Sequence, residues 1–184
     1  MLPTLITAAL AIVATLLGAI VSGRFQERAT ERQVRVTHDE RVRRDRLEAV
    51  TALACATSDH RTAMWRRGDA VLQQAGPERI EALRGESHTT RHAVTRPLIA
   101  LRVLIEDPAV RAAADHMITL TYAIRQAIPT SAVGTDREAA KRRLTEAREA
   151  ARIAHDTYVN IAARYLNQPM PTAIPRPIPE EPNR

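Results

Sequence analysis

The chain has 184 residues, of which 45% are hydrophobic, 26% are charged and only 3% are aromatic, and its formal net charge is +6. It lacks the aromatic residues and turn glycines of a sandwich or barrel, so an all-β fold is excluded, and its Ala- and Arg-rich composition is typical of closely packed helices. The single cysteine, Cys55, excludes an internal disulfide framework and a Cys-rich metal site.

Residues 1–23 are predicted to form a transmembrane anchor. No charged side chain occurs between Leu2 and Gly23, and about 20 apolar helical residues at about 1.5 Å each span the hydrocarbon core. A cleaved signal peptide is the alternative, because Val21, Ser22 and Gly23 are small enough for a cleavage site. The length of the segment and the absence of a preceding Lys or Arg favour the anchor.

The arginines that follow the anchor predict its orientation. Because basic residues remain on the cytoplasmic side, we expect a single span of the plasma membrane, with the N-terminus outside and the rest of the chain in the cytoplasm. A stripe of small residues in the anchor would also allow two such helices to approach closely and the protein to form a homo-oligomer. The stripe comprises Ala11, Ala14, Gly18 and Ser22.

Residues 24–46 are predicted to form a basic helical stalk. This stretch contains eight Arg and five Asp or Glu but few apolar residues, which is typical of a solvated helix. Arginines beside the bilayer are also attracted to anionic lipid headgroups. A nucleic-acid-binding arm is the alternative, but the interleaved acids and the absence of a stacking platform favour the stalk.

Residues 47–167 are predicted to form an antiparallel four-helix bundle, because four apolar stripes with helical spacing are joined by short connections. Gly76-Pro77 separates the first two helices, Asp107-Pro108 begins the third, and Thr135-Asp136 caps the fourth. The first stripe comprises Leu47, Val50, Ala54, Thr57, Arg61, Met64 and Val71, with a skip at Gly68.

Residues 168–184 are predicted to form a disordered, proline-rich tail. Six of the eleven prolines lie there, and no apolar stripe could be buried. The alternative is a short polyproline ligand at residues 175–179 for a groove on a partner protein.

The chain contains no glycine-rich phosphate loop and no nucleophile elbow, so we predict neither an enzyme nor a cofactor. His88 and His92 have the helical spacing of a metal-binding pair. Histidines on a surface or in hydrogen bonds are much more common, and the Glu-x-x-His pairs of bundle metal sites are missing. No metal site is therefore predicted.

A group of polar and aromatic residues lies on or beside the predicted core stripes. We interpret it as a structural network that fixes the helix register, with Asp59 or Glu86 pairing with a buried Arg61. The alternative is a ligand pocket with Trp65 and Tyr122 as walls. The group comprises Asp59, His60, Arg61, Trp65, Glu86, His88, Arg91, Tyr122 and Arg125.

Three strings from this region carry a family resemblance: residues 59–65 (DHRTAMW), residues 86–94 (ESHTTRHAV) followed by Pro97, and residues 121–125 (TYAIR). They resemble the actinobacterial KilB-like proteins, a group labelled after a Streptomyces conjugative-plasmid transfer protein. The resemblance covers about residues 1–166. It implies a membrane protein encoded by a mobile element and concerned with its spread, and it transfers no functional residue.

These observations predict a membrane-anchored helical interaction protein that is an accessory of conjugative plasmid transfer and binds a protein of the transfer apparatus. Two alternatives remain open. The polar group could be the site of a small-ligand or metal sensor. The basic charge could also serve nucleic-acid binding, which would weaken steeply with salt.

Overall fold

The computed structural model describes residues 2–129 and 136–168, with the side chains of 33–129 and 136–168 apart from that of Arg35. Four helices follow one another in this part of the chain: α1 (Leu2–Leu72), α2 (Pro77–Leu104), α3 (Pro108–Ala127) and α4 (Arg137–Asn167). The described residues contain no strand. The all-α prediction is therefore confirmed.

Three predictions fall outside the described residues. They concern the side chains of the anchor at 1–23, including the stripe of Ala11, Ala14, Gly18 and Ser22, the conformation of most of the tail at 168–184, and the cap at Thr135. Among the helical residues whose side chains the structure describes, no stretch is both long and apolar enough to cross a membrane.

The chain divides into two compact units, Met1–Leu47 and Glu48–Arg184. In the first unit, nearly all of the described side chains from residue 33 onward are exposed, including the apolar Val34 and Val36. The exposure agrees with a solvated helix, because this stretch has no continuous apolar stripe to bury.

In the second unit, α1 packs against both α2 and α4 and runs antiparallel to each of them. The Tyr158 hydroxyl of α4 donates a hydrogen bond to the Val50 carbonyl near the start of the α1 segment, at 3.3 Å. Further along α1, Gly68 lies against Leu144, which precedes Tyr158 in α4. Descending partner numbers along α1 show that the two helices are antiparallel.

Along α1, the residue numbers of its partners in α2 decrease in the same way, so these two helices are also antiparallel. His60 Nδ1 lies 3.0 Å from Thr90 Oγ1, and Arg66 Nη1 lies 2.7 Å from Glu86 Oε1. Buried residues from all four helices then form a shared core in this unit. Its largest fully buried side chain is Tyr158, and many of its other positions are alanines.

The helix boundaries follow the predicted signals closely. Asp107 Oδ1 accepts a hydrogen bond from the Val110 amide at the start of α3, and Asp136 does the same for Ala139 at the start of α4. Such caps satisfy amides that have no partner within the helix. Pro77 and Pro108 begin α2 and α3, where the missing N–H costs nothing.

The end of α1 differs from the prediction. The helix stops at Leu72, and Gln74 adopts the left-handed conformation with φ 56°. The amide of Ala75 bonds to the carbonyl of Ala70 at 3.0 Å, which closes the last turn. This is the Schellman-type ending that glycine usually provides, and here a glutamine residue provides it three residues before Pro77.

The predicted register of the first stripe is wrong at several positions. Leu47 is 54% exposed, and the buried positions are Leu53 and Leu72 where Ala54 and Val71 were expected. Gly68, taken as a skip, is buried. Ala54 and Val71 each lie next to a buried position, Leu53 or Leu72, and are themselves partly buried. Because both the predicted and the observed positions carry small or apolar residues, the sequence fits the two stripes almost equally well.

Candidate functional site

His60 is the most buried member of the predicted polar group, with 3% of its surface exposed. The hydroxyl of Thr90 donates within its own helix, to the carbonyls of Glu86 and Ser87 at 3.1 and 3.2 Å. When the one hydroxyl proton is directed to either carbonyl, the hydroxyl oxygen accepts a hydrogen bond from His60 Nδ1–H, 3.0 Å away.

The imidazole of His60 is held in its neutral form. Burial, with smaller contributions from the nearby Arg91 and His88, lowers the pKa of His60 from 6.5 to about 4. Its ring meets the Tyr122 ring edge-on, with centroids 5.3 Å apart. The Arg91 guanidinium lies 4.9 Å from the centre of the same tyrosine ring, a cation–π contact.

A pocket of about 410 Å³ opens beside these residues, between α1, α2 and α3. The structure brings five of the nine predicted residues to this pocket: His60, His88, Arg91, Tyr122 and Arg125. Its other lining residues are Met64, Arg67, Arg84, Ser87 and Gln126. The pocket therefore has four arginines and two histidines in its lining but no carboxylate.

The expected pairing of Arg61 with Asp59 or Glu86 is wrong. Glu86 forms its ion pair with Arg66, at 2.7 Å, and Asp59 is exposed. Arg61 is only partly buried and donates to the Ser58 hydroxyl at 3.2 Å. Because a guanidinium at the edge of the core keeps access to water, it needs no buried carboxylate.

Trp65 is not a wall of the Tyr122 pocket. It lines a separate surface hollow that also includes Arg66, Asp69 and Leu83. The Arg148 guanidinium of α4 lies 4.6 Å from the centre of its ring. Met64 and Trp65 are neighbours in α1, and one step of about 100° around a helix is enough to send them to different hollows.

Two arginines of the pocket were missed in the sequence. Arg67 follows His60 and Met64 at helical spacing, and Arg84 precedes Ser87, His88 and Arg91 on one face of α2. That spacing was a usable signal, but cationic residues at helical intervals are also typical of a solvated face.

Arg67 is the least satisfied member of the pocket. Its Nε is buried and has no hydrogen-bond partner within the described part of the chain. Burial lowers the pKa of Arg67, and the neighbouring Arg84 and Arg125 add to that effect. Buried polar atoms without a partner are rare in native proteins and require an explanation.

His88 lines the pocket, whereas His92, the other member of the considered metal pair, is not among its lining residues. In the searched part of the chain, no three His, Cys, Asp or Glu residues lie close enough together to hold a metal ion. The geometry therefore combines a cationic lining with a neutral, buried histidine and an aromatic wall, which suits the binding of an anion.

Comparison with known proteins places this architecture in a family. The family described as KilB plasmid transfer protein matches residues 47–166. The chain belongs to the KilB family. Protein KilB of Streptomyces lividans is 41% identical to it over 136 residues, which cover 74% of this chain and 88% of that relative. No solved structure matches the chain.

The family match has a clear relation to the fold. It begins at Leu47, at the division between the two compact units, and it ends one residue before the end of α4. All ten residues that line the pocket lie within it. The part of the chain that defines a KilB-family protein is therefore the helical unit that contains the arginine-lined pocket.

Proposed function

We propose that this protein is a membrane-anchored, non-enzymatic accessory of conjugative plasmid transfer or spread. The observation that carries the proposal is the KilB family match over residues 47–166, together with the 41% identical relative named Protein KilB. The family description names plasmid transfer, and the relative comes from a Streptomyces species.

Anchoring is part of the same proposal. It is supported by the uncharged sequence from Leu2 to Gly23 and by the eight arginines of residues 24–46 that follow it. This asymmetry favours an outside N-terminus and a cytoplasmic helical unit. The exposed side chains that the structure describes between residues 33 and 47 suit a solvated segment between anchor and helical unit.

The transfer role is tested by deleting the gene from its element and measuring two quantities separately in a mycelial host. The first is the frequency of transfer to recipient cells, and the second is the radius over which the element then spreads. We expect spread, transfer or both to fall and to be restored by the intact gene in trans. If neither quantity changes, the transfer role is refuted.

The topology is tested with Cys55, which is the single cysteine and is exposed. A membrane-impermeant maleimide should label Cys55 in lysed protoplasts but leave it unlabelled in intact ones. A matched variant, Thr4→Cys in a Cys55→Ala background, should be labelled in intact protoplasts. Labelling of Cys55 in intact cells would reverse the orientation, and loss of the N-terminal segment from the mature protein would replace the anchor by a signal peptide.

We also propose that the protein acts by contact, either with a protein of the transfer apparatus or with further copies of itself. The small-residue stripe of the anchor supports self-association. Affinity purification of the full chain from detergent-solubilised host membranes, followed by mass spectrometry, tests both partners. Recovery of a transfer protein supports the first, recovery of differently tagged copies supports the second, and recovery of neither refutes the proposal.

A further inference from the structure

The arginine-lined pocket brings several positive charges together, and its lining contains no carboxylate. Arg67 and Arg84 lie on helices α1 and α2, and Arg125 lies on α3, so three helices contribute arginines to the lining of one hollow, of which Arg84 and Arg125 are exposed to solvent. Of these three arginines, only Arg84 has a carboxylate within ion-pair distance among the described residues, namely Glu81 at 3.6 Å. Like charges in a shared site repel one another.

The buried Nε of Arg67 provides an observation independent of that charge count. It has donor capacity and no acceptor within the described residues. An arginine whose role was only structural would be expected to direct this group to a backbone carbonyl or a carboxylate, because an unpaired buried donor costs free energy. The atom instead belongs to a residue that lines the pocket.

We propose that this pocket binds a small phosphate compound that carries several negative charges. Guanidinium groups bind phosphate oxygens through paired N–H donors, and converging cations favour a polyanion over a single carboxylate. The volume of about 410 Å³ suits a small molecule, since ligand pockets range from about 300 to about 1,000 Å³.

The non-charged side of the pocket limits what else can enter. Met64 and Tyr122 give it an apolar wall, and His60 stays neutral because burial lowers its pKa to about 4. A wall of this kind can contact the organic part of a phosphate ester but does not require one. The probes must therefore separate a phosphate group alone from a phosphate attached to a nucleoside.

The test uses the full chain in a mild detergent, with calorimetric titration and thermal unfolding at constant ionic strength. The probes are pyrophosphate, inorganic phosphate, adenosine monophosphate and a short DNA duplex, with chloride as the salt control. We expect pyrophosphate to bind and to raise Tm by about 5–11 °C at a concentration of about 100 times its Kd. Stronger binding of adenosine monophosphate than of phosphate would show that the ligand includes an organic group.

Two variants assign the binding to the pocket. Arg67→Gln and Arg125→Gln should each weaken pyrophosphate binding about tenfold or more, since each removes charge-assisted hydrogen bonds. Arg96→Gln is the matched control, because Arg96 lies exposed on α2 outside the pocket lining. Without ligand, Arg125→Gln should keep or raise the native Tm, because it relieves repulsion on Arg67.

Three results would overturn the proposal. The first is a Tm rise that chloride reproduces at equal ionic strength. The second is equal binding by native protein and both pocket variants. The third is DNA binding that pyrophosphate does not displace, with no pyrophosphate binding of its own. Because none of these measurements involves plasmid spread, the ligand proposal and the transfer proposal can fail independently.

Discussion

Gly68 is the position at which a single added methyl group tests the packing of α1 against α4. It lies in the interior of α1 and is buried. A Cβ atom there would lie 2.7 Å from Leu144 Cδ2 and 3.2 Å from Ile128 Cγ1. Leu144 has no exposed surface, so its side chain cannot move into solvent to make room. We therefore expect Gly68→Ala to force a local shift of α4 or a strained leucine rotamer.

The expected cost combines two opposing effects. Overpacking a well-packed core typically costs about 1–3 kcal/mol. Replacing glycine by alanine within a helix contributes about 0.5–1 kcal/mol in the other direction, because alanine loses less backbone freedom on folding. The net prediction is a decrease of up to about 2.5 kcal/mol in the free energy of unfolding.

The matched control is Gly85→Ala. Gly85 also lies inside a helix, α2, but a Cβ atom there meets nothing within 4 Å. This variant should therefore be about 0.5–1 kcal/mol more stable than the native protein. Urea unfolding followed by circular dichroism measures both changes as shifts of the midpoint at constant slope. If Gly68→Ala is stabilised as much as Gly85→Ala, the close approach of α1 and α4 is refuted.

Three further predictions concern single side chains. Burial and the charge of Arg91 lower the pKa of His60 from 6.5 to about 4, so the folded state disfavours protonation of this imidazole. The free energy of unfolding should therefore be highest above pH 6.5 and should fall by up to about 3 kcal/mol as the pH decreases to 4. In chemical unfolding at several pH values, the free energy of unfolding of His60→Gln should depend less steeply on pH than that of the native protein. Equal pH dependences would contradict the lowered pKa of His60. Tyr158→Phe removes the hydrogen bond to the Val50 carbonyl and should cost about 1 kcal/mol in urea unfolding; an unchanged midpoint would contradict that bond. Asp107→Ala removes the cap of α3 and should lower the free energy of unfolding by about 1 kcal/mol. Asp107→Asn should lose much less, because asparagine also caps helices well. Equal losses in the two variants would contradict the capping role.

Much of the helical architecture could be predicted from the sequence because its signals are local. Pro77, Pro108 and Asp136 mark the starts of three helices, and prolines and capping aspartates act within a few residues. The helical unit therefore followed from spacing and caps.

The α1 register could not be obtained in the same way. Gly68 has no side chain to mark it as a core position, and its burial depends on Leu144 in a helix 76 positions later. Likewise, His60 is buried and Arg61 is only partly buried, because the imidazole of His60 forms a hydrogen bond with Thr90 of α2. Such choices depend on residues from another helix, which periodicity does not report.

The pocket was only partly predictable for a related reason. His60, Tyr122, Arg91 and Arg125 were grouped correctly as neighbours, but the grouping assigned Trp65 to the wrong hollow. Arg67 was missed because a charged residue on an Arg-rich helix gives no sign of burial. Its importance comes from a buried atom without a partner, which is a property of the folded structure alone.

We propose that membrane anchoring of this KilB-family protein is required for the spread of its element. The most direct measurement is the spread radius after complementing a deletion with three full-length genes. These encode the native chain, an apolar control (Leu16→Ile with Leu17→Ile), and a charged variant (Leu16→Arg with Leu17→Arg). Arginine within a span opposes membrane insertion by about 2.5–3.5 kcal/mol per residue. At equal protein levels, we expect the native chain and the apolar control to restore the spread radius and the charged variant not to restore it. Equal restoration by all three, or no effect of the deletion itself, would contradict the proposal.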